Sequence, residues 1–470
     1  MSYKELLITK GELELILKTK NESFFWSLAS IFKEINQIKI DLKTRTFRAL
    51  PFNFWIIIEF LKQRRIPYRL SLNVLFDLDF EITGETVQLR PYQEKLISNL
   101  EKNRYQGVIV LPTGAGKTIL ALKLIEKLKV KTLIVVPTID LLTQWKEKIT
   151  NLLKIDENKI GIYGGGIKEW TPILITTYQS ACKVPFLRRA FDYFGLVIFD
   201  EVHHLVAETY IEIAKRIIAP FRVGLTATPK RADQREELLD LYIGPILWGE
   251  KVMDLISQGY LADFDYIKKK VPLNPEEKER YLALISKYTE YIRSNFPKLK
   301  GKLALKGVIF ASSRDPEAKE ALKARQEARK IAFSSTEKIK LLNEILIKHK
   351  RDKVLIFTKF IETAKKISYL FGIPVITHDT AKKERNDILK LFKEGKITKL
   401  VSAEALDEGI DVPDASVAII LSGTASERQI IQRIGRVLRP RPGKKAVIYE
   451  LITAKTYEEH ISRRRRRAIF

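Results

Sequence analysis

Cysteine is almost absent from this chain of 470 residues, in which Cys182 is the only one. A single thiol excludes an internal disulfide, and it also excludes zinc and iron–sulfur sites that are built from several cysteines. A fold without disulfides is typical of reducing compartments, so the composition predicts an intracellular protein located in the cytoplasm.

Long hydrophobic runs are absent as well. The richest apolar stretch, residues 52–61, is too short to cross a bilayer, which requires roughly 20 apolar residues. Residues 1–20 are not a signal peptide, because charged side chains such as Lys4, Glu5 and Glu12 interrupt their apolar runs. The sequence therefore predicts a soluble protein with no membrane partner.

Acidic residues are scarce relative to basic ones. The chain has 83 lysines and arginines against 57 aspartates and glutamates, a formal net charge of +26 that is spread along the sequence. A polyanion is the expected partner, and nucleic acid is favoured over a membrane surface because the sequence has neither a basic amphipathic helix nor a lipidation signal. A basic surface that serves solubility alone is the remaining interpretation.

The chain is long enough for about three domains. From residue 88 onward, short apolar strands alternate with helical patterns, which predicts an α/β fold with mainly parallel sheets. In the first α/β unit the candidate strands are residues 108–110, 133–136, 173–175, 196–199 and 223–225. Each is followed by a polar cluster, and the carboxyl ends of parallel strands are where such sheets bind ligands.

We predict four segments. Residues 1–85 form a β-rich α+β domain, 86–250 a first α/β lobe, 251–333 a connecting segment with a helical insertion, and 334–470 a second α/β lobe with an arginine-rich tail. Within them we expect a strand-like run at residues 74–80, helix starts at Asn274 and Asp315, and a capping box from Ser334 to Glu337. Tyr281, Tyr288 and Tyr291 have helical spacing, which favours core packing over base stacking.

Residues 108–118 combine a strand, a turn of small residues and the start of a helix. Backbone N–H groups at such a junction form a phosphate cradle, with Lys117 adding charge for the β- and γ-phosphates and the Thr118 hydroxyl able to bind Mg²⁺. Leu111 stands where the general phosphate-loop pattern has its first glycine. The alternative is an ordinary glycine turn with a solvated lysine. The predicted ATP-binding residues of this loop are Thr113, Gly114, Ala115, Gly116, Lys117 and Thr118.

The apolar strand at residues 196–199 ends in Asp200 and Glu201. Phosphoryl transfer needs a carboxylate that holds the metal and a group that orients the attacking water. We expect Asp200 to bind Mg²⁺, directly or through water, and Glu201 to act as the general base or water-orienting group. A helix N-cap is the alternative for an isolated Asp-Glu pair, but the phosphate loop favours the catalytic interpretation.

Four motifs, in this order, resemble those of superfamily 2 helicases of the DExH type. They are Thr113-Gly-Ala-Gly-Lys-Thr118, Asp200-Glu-Val-His203, Thr226-Ala-Thr228 and Gln432-Arg-Ile-Gly-Arg-Val-Leu-Arg439. More narrowly, Leu89-Arg-Pro-Tyr-Gln93, the doubled histidine at 203 and 204 and the helical insertion resemble the XPB-type DNA helicases in their short archaeal form. The resemblance implies two RecA-like lobes, a damage-recognition domain at the N-terminus, a thumb-like insertion and 3′ to 5′ movement.

Roles of individual residues also follow from the resemblance. Gln93 would recognise adenine with support from Arg90, Asp411 would contact ribose or nucleic acid, and Thr226 and Thr228 would couple the nucleotide site to DNA. In the last motif, Gln432 belongs to the catalytic set, and Arg436 and Arg439 match the arginine fingers. Guanidinium groups supplied by a second lobe suit the charge of a γ-phosphoryl transition state. A basic surface helix is the alternative for this segment.

One departure from the family concerns strand separation. Where the family has Arg-Glu-Asp, this chain has Arg231-Ala232-Asp233, which puts unwinding in doubt but leaves ATP hydrolysis and translocation intact.

The sequence thus predicts an ATP- and Mg²⁺-dependent DNA helicase or translocase that contacts single-stranded or forked DNA mainly through phosphates. A double-strand translocase and an ATP-switched clamp remain alternatives. We find no nuclease motif, so cutting would need a partner nuclease; a repair or transcription factor is a further expected partner.

Overall fold

The computed structural model describes residues 5–33, 37–84, 87–228, 235, 237–403, 415–422 and 446–469. Backbone contacts divide the chain into two compact units, Met1–Lys251 and Val252–Phe470. None of the helices in the described ranges is long and apolar enough to cross a membrane.

The first unit begins with a small, mixed sheet. Its strands are β1 (Leu6–Lys10), β2 (Leu15–Lys18), β3 (Ile38–Asp41), β4 (Thr46–Ala49) and β5 (Tyr68–Ser71), in the order β3-β4-β2-β1-β5. Helices α1 (Glu22–Phe32) and α2 (Phe54–Gln63) pack their apolar faces against it. The β-rich prediction is correct here, although α1 and β4 were not predicted. The strand expected at residues 74–80 is wrong, since this segment makes only an isolated bridge between Asp77 and Val130.

This N-terminal sheet domain is anchored to the lobe that follows it. The Trp55 indole donates to the Ile218 carbonyl oxygen at 2.6 Å, and Lys10 pairs with Asp192 at 2.7 Å. Arg216 donates to the Leu13 carbonyl oxygen at 2.8 Å. Such contacts across well-separated parts of the chain explain why the domain belongs to the first compact unit.

The second sheet is built around five buried strands that match the predicted ones. In the described part of the chain it has the order β13-β6-β12-β11-β7-β10-β8-β9, parallel except between β8 and β9. The strands are β6 (Gln106–Val110), β7 (Thr132–Val136), β8 (Ile160–Gly164), β9 (Ile167–Lys168), β10 (Ile173–Thr177), β11 (Leu196–Asp200), β12 (Phe221–Thr226) and β13 (Ile246–Trp248). The helices are α3 (Pro91–Lys102), α4 (Lys117–Leu128), α5 (Ile139–Leu153), α6 (Tyr178–Ala181), α7 (Val184–Ala190), α8 (Ile211–Lys215) and α9 (Glu237–Tyr242).

The second unit contains a parallel sheet of its own. Over the described residues its order is β14-β19-β18-β15-β17-β16. The strands are β14 (Phe264–Val271), β15 (Val354–Thr358), β16 (Val375–Ile376), β17 (Lys399–Ala403), β18 (Val417–Ile420) and β19 (Ala446–Thr453). The helices are α10 (Val252–Ser257), α11 (Pro275–Asn295), α12 (Gly301–Ala311), α13 (Pro316–Phe333), α14 (Thr336–Lys348), α15 (Ile361–Phe371), α16 (Lys382–Glu394) and α17 (Glu458–Ile469). Strand β14, which the sequence did not predict, pairs with β19 at the sheet edge.

Helices α11–α13 form the insertion. Both predicted starts are correct, because Asn274 accepts from the Glu277 N–H at 2.7 Å and Asp315 accepts from the Glu317 N–H at 2.8 Å. Helix α13 packs closely on α11 through a row of buried alanines at 318, 321, 324, 328 and 332. The tyrosines of α11 pack in the interior of this bundle, as predicted: Tyr281 and Tyr291 are buried and Tyr288 lies beside them.

The capping box predicted at Ser334 does not form. Helix α14 starts one residue later, with Ser335 at the N-cap, and the Ser335 hydroxyl pairs with that of Thr453 at 3.1 Å. Glu277 supplies the cap instead, since its carboxylate accepts from the Thr336 N–H at 2.9 Å and from the Thr336 hydroxyl at 2.8 Å. A partner 59 residues away thus replaces the local one and ties the insertion to helix α14 of the same unit.

Candidate active site

Three neighbouring strands bring three of the four predicted motifs to one edge of the first large sheet, the one built from β6–β13. Strand β12 lies between β6 and β11, with Thr226 opposite Val110 and Leu225 opposite Asp200. The three strands are parallel, so the segments after Val110, Asp200 and Thr226 leave the sheet on the same side. The Leu111 N–H donates to the Thr226 carbonyl oxygen at 3.0 Å, which continues this pairing into the loop.

The loop after β6 has the backbone of a phosphate cradle. Gly114 and Gly116 have φ angles of +88° and +84°, which L side chains rarely adopt, and α4 begins at Lys117. The Lys117 ammonium donates to the Leu111 carbonyl oxygen at 3.2 Å, so it lies over the loop. The backbone N–H groups of the first turn of α4, together with Lys117, give this loop the donors and the positive charge that an anion site requires.

Gln93 fixes the loop from the side of α3. Its Oε1 accepts from the Arg90 N–H at 2.9 Å, and its Nε2 donates to the carbonyl oxygens of Ala115 at 3.1 Å and Gly116 at 3.4 Å. The Tyr92 hydroxyl donates to the same Ala115 oxygen at 2.7 Å. Two side chains from the start of α3 thus determine the shape of the turn that precedes Lys117.

A cleft of about 880 Å³ opens beside the loop and has the size of a nucleotide pocket. The predicted residues that line it are Arg90, Gln93, Gly114 and Gly116. No sequence pattern indicated the opposite lining, which comes from the segment before α3 and the end of α5 and includes Val87, Gln88, Asn151 and Lys154.

Asp200 is held by three separate hydrogen bonds. Its Oδ2 accepts from the Trp145 indole at 2.9 Å, and its Oδ1 accepts from the Glu201 N–H at 3.0 Å. The Tyr178 hydroxyl donates to its carbonyl oxygen at 2.9 Å. Burial, together with the charges of Asp200 and Glu201, raises the pKa of Tyr178 well above its ordinary value, so the phenol stays a donor.

Glu201 has a backbone φ of +46°, an unfavourable conformation for glutamate that persists where surrounding contacts impose it. Its Oε2 lies 3.4 Å from His203 Nδ1, and His203, which is fully buried, places the same nitrogen 3.2 Å from the Thr226 hydroxyl. That hydroxyl also donates to the Thr228 carbonyl oxygen at 3.0 Å. A chain of close polar contacts therefore runs from Glu201 through His203 to the segment after β12.

The donor set fits a nucleotide with Mg²⁺. The Thr113 hydroxyl is buried and has no hydrogen-bond partner within the described residues, as a group intended for a ligand would be. Asp200 and the Thr118 hydroxyl are the hard oxygen donors that Mg²⁺ prefers, and Mg²⁺ sites of this type use few protein ligands alongside phosphates.

Several predicted site residues cannot be placed. Asp411, Gln432, Arg436 and Arg439 lie outside the described residues, as does the segment Arg231-Ala232-Asp233. Sequence analysis also missed Tyr92, Trp145 and Tyr178. A tryptophan on the buried face of an amphipathic helix signals an indole that needs an acceptor, but the pattern does not identify the acceptor.

Two family models match the chain. Residues 86–231 match the res subunit of type III restriction enzymes, and residues 337–441 match the conserved C-terminal domain of helicases. The first match contains strands β6–β12, the second contains β15–β18, and the four predicted motifs lie within the two matches.

Curated relatives extend the comparison to nearly the whole chain. A protein of Sulfurisphaera tokodaii named DNA 3′-5′ translocase XPB2 is 40% identical over 90% of this chain and 94% of its own length. A protein of Kineococcus radiotolerans named DNA 3′-5′ helicase XPB is 30% identical over 81% of this chain, which spans only 62% of that relative. The general transcription and DNA repair factor IIH helicase/translocase subunit XPB of Enterocytozoon bieneusi is 25% identical over 99% of this chain and 76% of its own length.

Among solved structures, the helicase domain of Hef from Pyrococcus furiosus superposes with a TM-score of 0.54 at 20% identity. The match covers 82% of this chain and all of that domain. At this identity the likeness concerns the fold, and it agrees with the predicted pair of RecA-like lobes.

Proposed function

Because the chain belongs to the XPB family of superfamily 2 helicases, we propose that it is an ATP-dependent DNA helicase or translocase. The observation that carries the proposal is the common sheet edge at which the phosphate loop, Asp200-Glu201 and Thr226 meet. The direction of movement is 3′ to 5′, as in the names of the relatives.

The first lobe holds ATP. Lys117 and the N–H groups of its loop bind the β- and γ-phosphates, Gln93 recognises adenine with support from Arg90, and Thr118 and Asp200 hold Mg²⁺. When bound, Mg²⁺ neutralises charge that develops on the phosphate oxygens. Glu201 orients the attacking water and accepts its proton. Its contact with His203, and through it with Thr226, transmits the state of the nucleotide site to the neighbouring strand end.

The last motif supplies further catalytic residues in this proposal. Arg436 and Arg439 stabilise the γ-phosphoryl transition state, Gln432 belongs to the same motif, and Asp411 contacts ribose or nucleic acid. The reason for two arginines is electrostatic, since negative charge spreads over three phosphoryl oxygens during transfer.

DNA is the polyanionic partner that the net charge of +26 predicts. Contacts to phosphates of single-stranded or forked DNA make binding sensitive to salt and weakly dependent on sequence. We assign DNA-damage recognition to residues 1–85 and a thumb role to the insertion. A nuclease or a repair or transcription factor is the expected protein partner, and the nucleoid of a prokaryotic cell the expected location.

Translocation on duplex DNA without robust unwinding is the second candidate function. It is favoured by Ala232, which replaces the glutamate of the family's Arg-Glu-Asp element, and by the relative named a translocase. Strand displacement on forks with 5′ or 3′ tails reports unwinding, whereas displacement of a triplex strand reports duplex translocation. Triplex displacement without fork unwinding would select the second candidate.

Loss of DNA-stimulated ATPase activity tests the proposal itself. Lys117→Ala and Glu201→Gln should each abolish turnover while circular dichroism and thermal unfolding remain unchanged. Undiminished turnover in either variant would contradict the assignment. If the protein is instead an ATP-switched clamp, Glu201→Gln should trap DNA on the protein and leave its biological function intact.

A further inference from the structure

Trp145 is the only side chain outside the Asp-Glu motif with a described hydrogen bond to the Asp200 carboxylate, at 2.9 Å from Oδ2. The other oxygen, Oδ1, accepts from the Glu201 N–H at 3.0 Å. With a donor on each oxygen, the carboxylate cannot rotate about its terminal bond without breaking one of the two. Each oxygen retains a second lone pair for a metal ion or its water.

The indole itself is packed in the interior of the lobe. Trp145 is 2% exposed and lies on the buried face of α5 with Leu142, Ile149 and Leu153. Helix α5 follows β7, which pairs directly with β11. The bond therefore joins two rigid elements that are 55 residues apart in sequence.

The chemistry of the donor matters as much as its position. An arginine or lysine at this place would neutralise Asp200 and compete with a divalent cation for it. An indole N–H is uncharged, so it orients the carboxylate and leaves its full negative charge to the metal. Hydrogen bonds of this kind to a metal ligand typically change metal affinity or activity by about 10–100-fold.

We propose that Trp145 is a positioning residue for Mg²⁺: its indole N–H holds Asp200 in the orientation that binds the metal of the Mg²⁺–ATP complex. This inference rests on the proposed function, in which Asp200 is a metal ligand. It assigns helix α5 a part in ATP hydrolysis that no sequence motif identified.

The test compares Trp145→Phe, which keeps an aromatic ring and removes the N–H, with Trp170→Phe. Trp170 lies in the same lobe, packs against Phe186 and Phe194, and has no described contact with Asp200. Affinity for a fluorescent ATP analogue is measured with Mg²⁺ and with a chelator. Trp145→Phe should lose about 10-fold or more of the affinity gained from Mg²⁺ and keep the chelator value. The Mg²⁺ concentration for half-maximal ATPase should rise similarly, and Trp170→Phe should change neither.

Two results would overturn the inference. Unchanged Mg²⁺ dependence in Trp145→Phe would remove the positioning role, and an equal loss of affinity with and without Mg²⁺ would show that the indole serves packing alone. Asp200→Ala separates the inference from its premise. If Asp200→Ala retains normal Mg²⁺ dependence, the proposed metal site fails; if only Trp145→Phe retains it, the inference about Trp145 fails.

A measurement on the unmodified protein covers the case in which Trp145→Phe does not fold. The chain has 5 tryptophans, so its ¹H–¹⁵N spectrum contains few indole resonances. The resonance assigned to Trp145 should shift when Mg²⁺ is added to the nucleotide-bound protein, and this shift should vanish in Asp200→Ala. An indole resonance that does not respond to Mg²⁺ would overturn the proposal.

Discussion

The side-chain amide of Gln93 occupies the space next to Gly116 that any side chain at residue 116 would need. A Cβ added to Gly116 would lie 2.4 Å from Gln93 Nε2, and the φ of +84° is itself unfavourable for an L residue. The glutamine of the Arg-Pro-Tyr-Gln segment and the second glycine of the phosphate loop therefore form one interlocked unit. A change at either residue must affect the other.

Gly116→Ala tests this interlock. Both the steric conflict with Gln93 and a backbone cost of about 1–2 kcal/mol act against the native loop. We expect ATP affinity to fall by at least about 10-fold, the equivalent of 1.4 kcal/mol. Fluorescent nucleotide titration measures the affinity, and urea denaturation measures the free energy of unfolding.

Gly166→Ala is the matched control for this prediction. Gly166 has a φ of +93° in the same lobe, but an added Cβ would meet nothing within 4 Å. It shares the backbone cost and lacks the conflict with Gln93. Equal losses of ATP affinity in the two variants would show that backbone strain, and not the interlock, governs the loop.

Arg436→Ala should reduce turnover much more than ATP binding. An arginine finger acts on charge that exists only in the transition state, so kcat should fall by on the order of 10³. Steady-state ATPase kinetics with saturating DNA and a nucleotide titration distinguish the two effects. A large loss of affinity with unchanged kcat would contradict the role.

Lys338 and Glu458 form a buried ion pair in the second unit. The Lys338 ammonium is 2.6 Å from Glu458 Oε2 and 3.0 Å from the Leu421 carbonyl oxygen, and the two side chains are 0% and 4% exposed. Lys338→Met leaves the carboxylate buried without its cation, so we expect a loss of about 3–5 kcal/mol of unfolding free energy. Denaturant unfolding measures it.

Lys340→Met provides the comparison for this pair. Lys340 binds Glu337 on the same helix but is 65% exposed, and the removal of surface charges of this kind costs about 0–1 kcal/mol. If Lys338→Met lowered the free energy of unfolding as little as Lys340→Met does, water would have to reach Glu458 in the folded protein. The double replacement of Lys338 and Glu458 by methionine should cost less than Lys338→Met alone.

Tyr291 should make the stability of the insertion depend on pH in the alkaline range. Burial and the hydrogen bond to the Asp315 carboxylate raise its pKa to about 12 from the ordinary 10.0. A raised pKa in the folded state contributes stability that is complete below pH 10 and is lost as pH rises towards 12. Tyr291→Phe should therefore be less stable than the wild type at pH 8, and the difference should shrink by pH 12.

Hydrogen exchange of amides in α11 and α13 reports this difference locally. Tyr369→Phe is the control, because Tyr369 is 90% exposed and lies on another helix. A Tyr291→Phe variant whose deficit stays constant from pH 8 to pH 12 would show that the hydroxyl contributes through packing and not through its proton.

The five central strands of the first large sheet were predictable, whereas β13 and β14, which lie at sheet edges, were missed. The strands β6, β7, β10, β11 and β12 each contain an apolar run because helices cover both faces of a parallel sheet, and such runs stand out in a sequence. Strands β13 and β14 are edge strands, one of three residues and the other rich in exposed lysines, so neither has that pattern. Residues 74–80 show the opposite error: their sequence alternates as a strand does, but in the structure they form only an isolated bridge.

The sequence alone determined the phosphate loop and the Asp200-Glu201 pair, because their chemistry requires adjacent residues of particular types after a buried strand. It also determined the helix starts at Asn274 and Asp315, since those caps bind their own first turn. Only the tertiary structure decided which side chains hold these elements in place. Trp145 donates to Asp200, which is 55 residues away in the sequence, and Glu277 caps α14 from a position 59 residues away. No local pattern encodes such hydrogen bonds, because donor and acceptor become neighbours only when the helices and strands pack.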